Sequence, residues 1–375
     1  MGIVYNTTIV PKKITGIRQK GRQMMKYKIV AVFCLFALLC ACTPVRTNQG
    51  TIWQMQAIGE DTSSPDVLLQ PRGEVRETTF VIPEDSPDAL RGAAAYFCKE
   101  LGEISQGSIQ MTVTQSKTPQ TQLAEGQAQM AFLTQKWQMG FSQPLQATAT
   151  SFLYTSYRNF TMRANAPETL SLLGRVMREE NKMVPLAAFY QGTRHFLTDF
   201  PVTGYLHLEG STIAVEEDPE LREALGRLGV QTVTASTAGE RLELYWSGEV
   251  AGVEISLEEL AAQPELPQAS YLLLGGHNTV PVWLVAGAEF YDSLTPAQQG
   301  GVQELCAYMI NLIDDRQVER DRQLLDDIGS FNLSYIVEFS NVRNRVFNTL
   351  APLSSDAPAP QVVARDLINM MRRIT

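Results

Sequence analysis

Apolar residues in the first third of the folded part follow two different periods, which predicts alternating strands and helices. Residues 78–82, 109–113 and 130–133 are short apolar or alternating runs typical of strands. Between the first two runs, apolar residues recur at helical spacing up to about residue 104, at Leu90, Ala94, Phe97 and Leu101. With a short helix over 121–125, the order is β-α-β-α-β, which predicts a mainly parallel α/β unit.

A second α/β unit is predicted further along the chain. After a helix over 167–179, residues 183–190 and 194–199 are predicted as two separate strands. The second unit itself alternates strands at 211–216, 232–235 and 252–255 with helices at 219–228 and 239–247. Beyond it lie strands at 271–275 and 279–286, a long helix over 295–328 capped by Thr295, and a last amphipathic helix over 360–375. Two α/β lobes are the natural interpretation.

The N-terminus has the features of an export signal. A basic run at 26–28 precedes eleven apolar residues at 29–39, too few to span a bilayer but typical of the apolar part of a signal peptide. Leu39-Cys-Ala-Cys42 resembles a bacterial lipobox, so residues 1–42 are predicted as a lipoprotein signal peptide with Cys42 as the acylated residue. The alternative is an uncleaved membrane anchor.

The residues on either side of this signal have a different character. Residues before Met24 lack signal-like features, so Met24 or Met25 is a candidate for the true start. Polar residues 43–76 predict a flexible tether between the lipid and the folded part.

Composition and charge exclude several classes of function. The chain is 44% hydrophobic and 19% charged, and its net charge of -9 argues against nucleic acid as a partner. The three histidines and five cysteines lack metal-ligand spacing, and nucleotide-binding glycine motifs are lacking too. We therefore expect neither an enzyme nor a bound metal or cofactor. Cys98 and Cys306 are predicted as two separate buried thiols, with a disulfide between them as the alternative.

Several short motifs, in a characteristic order, resemble those of one protein family. The matching stretches are Phe80-Val-Ile-Pro-Glu-Asp-Ser-Pro87, Gly126-Gln-Ala-Gln-Met-Ala-Phe132, Phe152-Leu-Tyr-Thr-Ser-Tyr157, Tyr190-Gln-Gly-Thr-Arg-His-Phe-Leu-Thr198, Gly248-Glu-Val-Ala-Gly-Val-Glu254 and Phe290-Tyr-Asp-Ser-Leu-Thr-Pro296. The chain resembles the solute-binding proteins of tripartite ATP-independent periplasmic (TRAP) transporters, the DctP family. Each motif is short, and the resemblance depends on their order and spacing between about residues 78 and 328.

The resemblance implies a fold and a function. The fold would be α/β and two-lobed, like periplasmic binding proteins, with a ligand cleft and a long helix spanning both lobes. Lobe I would comprise residues 77–200 with segments from 285–375, and lobe II residues 201–284. The protein would be a lipoprotein in the periplasm or on the outer face of the cell membrane. It would deliver a small organic, carboxylate-bearing solute to TRAP permease subunits. A solute sensor for a membrane kinase and a non-binding interaction module are the alternatives.

The resemblance also implies site residues. Arg194 matches a ligand-facing arginine of the family, which could clamp a carboxylate or form a structural salt bridge. Glu254 could contact the solute or hydrogen-bond the backbone at a hinge. The other candidates for the cleft are Gln191, Asn278, Glu84 and Trp246.

The chain also departs from the family pattern at three positions. Ala214 stands where the family has its main carboxylate-binding arginine, Ala238 replaces an aromatic residue, and Ile255 replaces an asparagine. A simple dicarboxylate held in the usual way is therefore not expected. The departures leave open a monocarboxylate, a less charged or larger solute beside Ala214 and Ala238, or a carboxylate anchor at another position.

Overall fold

The protein is described by a computed structural model that covers residues 75–138, 142–263, 270–328, 332–335 and 359–374. The predicted signal peptide, Cys42 and almost all of the predicted tether lie outside these residues. No helix within the described ranges combines the length and hydrophobicity that crossing a membrane requires.

A single twisted sheet organises the described residues. Its strands are β1 (Arg76–Pro83), β2 (Ile109–Ser116), β3 (Met130–Thr134), β4 (Met183–Thr198), β5 (Thr212–Val215), β6 (Gln231–Thr234), β7 (Gly252–Ser256), β8 (Tyr271–Gly287) and β9 (Asn332–Tyr335). Their spatial order is β2-β1-β3-β8-β4-β7-β5-β6, and β9 pairs with β8. Pairs β1–β2, β1–β3, β5–β6 and β5–β7 are parallel, as the two predicted α/β units require, whereas β8 runs antiparallel to β3 and β4.

Helices connect these strands and cover the sheet. They are α1 (Asp88–Ile104), α2 (Pro119–Ala124), α3 (Gln135–Gln138), α4 (Gln143–Ala147), α5 (Tyr157–Ala164), α6 (Pro167–Asn181), α7 (Pro219–Arg227), α8 (Ala238–Trp246), α9 (Leu257–Ala261), α10 (Ala288–Ser293), α11 (Pro296–Ile328) and α12 (Ala359–Met371). Residues Tyr205–Leu208 form a 3-10 turn. The short helices α3, α4, α5, α9 and α10 were not predicted from the sequence, since they span too few residues for helical periodicity to show.

Two long, adjacent strands form the middle of the sheet, where four separate strands were predicted. The predicted strands at 183–190 and 194–199 are one strand, β4, and those at 271–275 and 279–286 are one strand, β8. Their pairing is interrupted by register shifts, one of them between Tyr190 and Thr193. Gly192 and Gly276 have φ values of 93° and 57°, a left-handed conformation that glycine adopts without steric cost. Each of these glycines lies in the gap between two predicted strands and is a local irregularity within one continuous strand.

Among the described residues, apolar side chains form three buried clusters against the sheet. The first packs α1, α10 and the start of α11 onto β1, β3, β4 and β8, and includes Phe97 and Met309. The second lies under α4 to α7 and includes Trp283 of β8 and Leu367 of α12. The third packs α8 against β5 and β7. Cys98 and Cys306 are free, buried thiols in the first cluster, where burial raises the pKa of each to about 12.

The long helix α11 is attached to β4 by a buried carboxylate. Thr295 caps the helix by accepting a hydrogen bond from the Gln298 N–H at 3.2 Å, as predicted. Further along, Asp314 is 3% exposed and accepts hydrogen bonds from the backbone N–H of Tyr190 at 2.8 Å and from the hydroxyl of Thr161. Burial raises the pKa of Asp314 to about 6. The helix also packs against α1 and α9, so it spans both ends of the sheet.

Exchange of Asp314 for asparagine is expected to change how stability depends on pH. Because the folded pKa lies above the ordinary value of 3.8, ionisation of Asp314 destabilises the native state as the pH rises from about 4 to about 6. The Asp314→Asn variant lacks this loss. Its free energy of unfolding, relative to that of wild type, should therefore rise by about 2–3 kcal/mol as the pH increases from 4 to 7.5. Urea unfolding of both proteins across this range measures the gain. A difference in stability that stays constant with pH would contradict the assignment.

Candidate functional site

A buried arginine lies at the centre of the sheet, where β4, β7 and β8 run side by side. Arg194 of β4 is 6% exposed, and its Nε lies 2.9 Å from Oε1 of Glu254 on β7. The same Glu254 oxygen lies 3.1 Å from Nε2 of His277 on β8. The other oxygen of Glu254 accepts a hydrogen bond from the backbone N–H of Glu216 at 3.2 Å. Adjacent strands therefore bring together three side chains that are far apart in sequence.

Two further glutamates and a second arginine extend this cluster. Nη2 of Arg194 lies 3.3 Å from Oε2 of Glu259 and 3.5 Å from Oε1 of Glu216. Arg241 of α8 is fully buried. Its Nη2 lies 2.8 Å from Oε1 of Glu259, and its Nη1 lies 3.3 Å from Oε1 of Glu216. It also donates to the backbone carbonyls of Glu254 and Ala235. Glu259 is held in place because it completes a capping box with Ser256 at the start of α9. The two guanidinium groups thus face three carboxylates and share two of them, those of Glu216 and Glu259.

Burial and the fixed charges together set the protonation states. Burial alone would raise the pKa of Glu254, but the charge of Arg194 and the hydrogen bond from His277 outweigh it and lower this pKa to about 2. Burial of Arg194 acts to lower its pKa, yet the three glutamates outweigh burial and hold it above its ordinary value. Burial lowers the pKa of His277 and lowers that of His195 to about 3. Both imidazoles are therefore neutral at neutral pH.

Aromatic packing fixes the position of His277. Its ring stacks on Phe196, with centroids 4.2 Å apart and an interplanar angle of 14°. Phe152 and Tyr205 pack against the same imidazole. The backbone N–H of Phe152 also hydrogen-bonds the carbonyl of His277 at 2.5 Å, and Phe152 has a positive φ of 65°, which is uncommon for a residue with a side chain. The loop before α5 is thereby held against the cluster.

The predicted site residues fall into two groups. Arg194, Glu254 and Asn278 lie together, since Asn278 is the cross-strand partner of Arg194 in the β4–β8 pair. The other three, Gln191, Glu84 and Trp246, lie in different surroundings.

Each residue of the second group has its own location. Gln191 is half-buried beside Gly192, where Gln317 and Asp321 of α11 approach the backbone. Glu84 is exposed at the end of β1 and lies 3.9 Å from Lys117. Trp246 is 49% exposed at the end of α8. It lies five residues beyond Arg241, which places it about 140° around the helix from the cluster.

The two positions at which smaller residues replace family side chains are not equivalent in the structure. Ala214 of β5 is fully buried in the third apolar cluster, which also contains Leu242 and Val253. Ala238 is half-buried in the first turn of α8. One turn further along α8 is Arg241, so a buried arginine is supplied to this region by a helix rather than by strand β5.

Four members of the cluster were not predicted from the sequence: Glu216, Arg241, Glu259 and His277. The acidic residues 216–218 precede α7, a position at which negative charge complements the helix dipole. Asp218 does cap α7, accepting hydrogen bonds from the N–H groups of Glu220 and Leu221. Glu216 instead faces the two arginines. Arg241 carried a weak signal, since it occupies an inward-facing position of an amphipathic helix where an apolar residue is usual.

The fold and the position of this cluster define a class of protein. The long strands β4 and β8 join the two ends of the sheet, and the guanidinium of Arg194 is buried where they lie side by side. The profile of the bacterial extracellular solute-binding proteins, family 7 (DctP), matches residues 81–354. The chain belongs to this family, and the predicted resemblance and fold class are confirmed. No curated protein gives a significant match to the chain.

Solved structures of TRAP periplasmic solute-binding proteins share the fold at low sequence identity. An apo, open protein from Rhodobacter sphaeroides superposes with a TM-score of 0.70 at 13% identity, covering 80% of this chain and 100% of its own. A protein from Desulfovibrio desulfuricans with bound sn-glycerol-3-phosphate gives 0.60 at 16% identity, covering 80% and 98%. One from Pseudomonas putida F1 with bound D-glucuronate gives 0.58 at 17% identity, covering 80% and 96%. The chain therefore shares the two-lobed fold of these proteins.

Proposed function

We propose that this protein captures a small, carboxylate-bearing organic solute outside the cytoplasmic membrane and delivers it to the membrane subunits of a TRAP transporter. Acylation of Cys42 would hold it in the periplasm or on the outer face of the membrane. The observation that carries the proposal is the buried Arg194 where β8, β4 and β7 lie side by side. The solutes in two of the similar structures, glucuronate and glycerol 3-phosphate, are both acids, which agrees with this choice.

The geometry of Arg194 suits a carboxylate ligand. Its ion pairs with described residues use Nε and Nη2, which leaves the two N–H groups of Nη1 to donate to a solute. Glu254 holds the guanidinium plane in one orientation, so little side-chain entropy would be lost on binding. The residue belongs to the predicted lobe I, and its three glutamates belong to the predicted lobe II. A solute that contacts both segments would favour their closed arrangement, which is the form a membrane partner would recognise.

Thermal-shift measurements on residues 43–375 test the proposal. The probes are a panel of organic acids that includes D-glucuronate, glycerol 3-phosphate, short monocarboxylates and amino acids. A binder at 100 times its dissociation constant should stabilise the protein by about 2.7 kcal/mol. The Arg194→Lys variant, which keeps the charge but loses the planar donors, should bind at least about tenfold more weakly.

Arg178→Lys is the matched control, because this arginine forms an exposed pair with Asp292 and should leave binding unchanged. Stabilisation that is equal in wild type and Arg194→Lys would place the solute elsewhere. A panel in which no acid stabilises the protein would contradict a carboxylate-bearing solute.

A further inference from the structure

The cluster around Arg194 carries more negative than positive charge. Arg194 and Arg241 face three carboxylates, and the neutral imidazoles of His195 and His277 add no charge. A fourth carboxyl group, that of Asp218, lies close enough to interact electrostatically with Glu254 and His277. A solute whose only charge is negative would therefore enter a region in which its attraction to Arg194 is largely offset. A positively charged group on the solute would be favoured by the same charges.

Two buried hydrogen-bond acceptors next to Arg194 have no partner among the described residues. His277 must carry its proton on Nε2, because that atom faces the ionised Glu254, which can only accept. Its Nδ1 is therefore an acceptor, and it is unpaired within a side chain that is 1% exposed. Oδ1 of Asn278, which is 2% exposed, is also unpaired. An unpaired buried acceptor costs about 1–3 kcal/mol, so both atoms favour a ligand that donates hydrogen bonds.

Both acceptors belong to residues that neighbour Arg194 in the sheet. Asn278 is the cross-strand partner of Arg194, and His277 shares the Glu254 oxygen that holds the guanidinium. The donors of Nη1 and the two acceptors are thus contributed by adjacent residues of β4 and β8. One small molecule with an acceptor group and a donor group could contact both sets of atoms.

We propose that the solute is zwitterionic and carries a protonated amine in addition to its carboxylate. This inference rests on the proposed function, which supplies the carboxylate at Nη1 of Arg194. The ammonium group donates to Oδ1 of Asn278 and Nδ1 of His277, and Glu216 and Asp218 contribute negative potential. An amino acid or a related amino-carboxylate has this combination of groups. The net charge of the cluster and its unpaired acceptors support the amine independently of each other.

Matched sets of three probes test the amine separately from the carboxylate. One set is 4-aminobutyrate, butyrate and butylamine, and a second is L-leucine, 4-methylpentanoate and 3-methylbutylamine. Each compound is tested singly, and its affinity is measured by thermal shift and by titration calorimetry. In at least one set, the zwitterion should bind about 10-fold or more tightly than either analogue.

The outcomes distinguish this inference from the proposed function. An acid that binds as tightly as its zwitterion, or binding by D-glucuronate with no response to any zwitterion, would overturn the amine and leave the proposed function intact. An amine that binds as tightly as its zwitterion would support the ammonium site and contradict the carboxylate at Arg194. If no probe binds, acids included, both proposals fail.

A charge-removing variant gives a second test. Glu216 has a side chain that is 40% exposed, so Glu216→Gln should fold. This variant should weaken binding of the zwitterion about 10-fold and tighten binding of the matched acid, since one negative charge is removed from the cluster. Glu217→Gln is the control, because the neighbouring Glu217 is exposed and should leave both affinities unchanged. If Glu216→Gln tightens acid and zwitterion alike, the amine is not recognised at this cluster.

Discussion

Replacement of Arg194 by methionine is expected to lower the free energy of unfolding by about 3–5 kcal/mol. The variant removes the cation that lies 2.9 Å from Glu254, whose side chain is 1% exposed. Glu254 would keep its hydrogen bond to a neutral His277, but its charge would be uncompensated in the interior. The loss should be largest above neutral pH and smaller where Glu254 can take up a proton. Urea unfolding at pH 5 and pH 8 measures both the size and the pH dependence.

A double variant separates the lost ion pair from lost packing. Arg194→Met combined with Glu254→Gln removes both charges, and it should recover more than half of the stability lost in the single variant. Arg178→Met is the control for an exposed pair and should cost less than about 1 kcal/mol. If Arg194→Met lowers the free energy of unfolding no more than this control does, the ion pair between Arg194 and Glu254 does not stabilise the fold as its burial implies.

Replacement of Gly252 by alanine is expected to cost about 2–3 kcal/mol, because the added methyl group has no space. The new Cβ would lie 2.8 Å from the backbone carbonyl oxygen of Leu197, 2.7 Å from Cδ1 of Ile213 and 2.9 Å from Cγ2 of Thr198. The carbonyl is fixed within the β4–β7 ladder, so relief requires the two strands to separate. Because Glu254 follows two residues later on β7, solute affinity should fall together with stability.

Gly92→Ala is the matched control. Gly92 lies within α1, and a Cβ there meets nothing within 4 Å. This substitution should stabilise the protein by about 0.5–1 kcal/mol, since alanine is the better helix former. Circular-dichroism melts and urea unfolding of both variants measure the contrast. A Gly252→Ala variant as stable as wild type would mean that β4 and β7 can move apart here at little cost in free energy.

Most secondary-structure elements could be predicted from the sequence, because their periodicity is a local property. Helix α1, with Leu90, Phe97 and Leu101 inward, and the parallel strands on either side of it agree with prediction. The middle of the sheet could not be predicted in the same way. Gly192 and Gly276 look like ordinary strand breaks, and only pairing between β4 and β8 keeps each strand continuous.

The site was predicted less completely than the fold, for a physical reason. Arg194 and Glu254 could be proposed from the family resemblance, and the structure brings them into contact. The role of Arg241 depends on which face of α8 packs inward, and that of Glu259 depends on a capping box that was not predicted. Charge balance in a buried cluster is a property of the assembled strands. The number of carboxylates around Arg194 therefore became clear only in three dimensions. The predicted lobe boundaries, at residues 200 and 284, remain a prediction.

The long strands β4 and β8 have a consequence for how the chain melts. Each runs unbroken from one end of the sheet to the other, so neither end can lose its order without exposing a strand on which the other depends. Denaturation is therefore expected as one cooperative transition, with probes at opposite ends of the sheet reporting the same midpoint. Amide hydrogens along the β4–β8 ladder should exchange only through this global event and be the slowest of the protein.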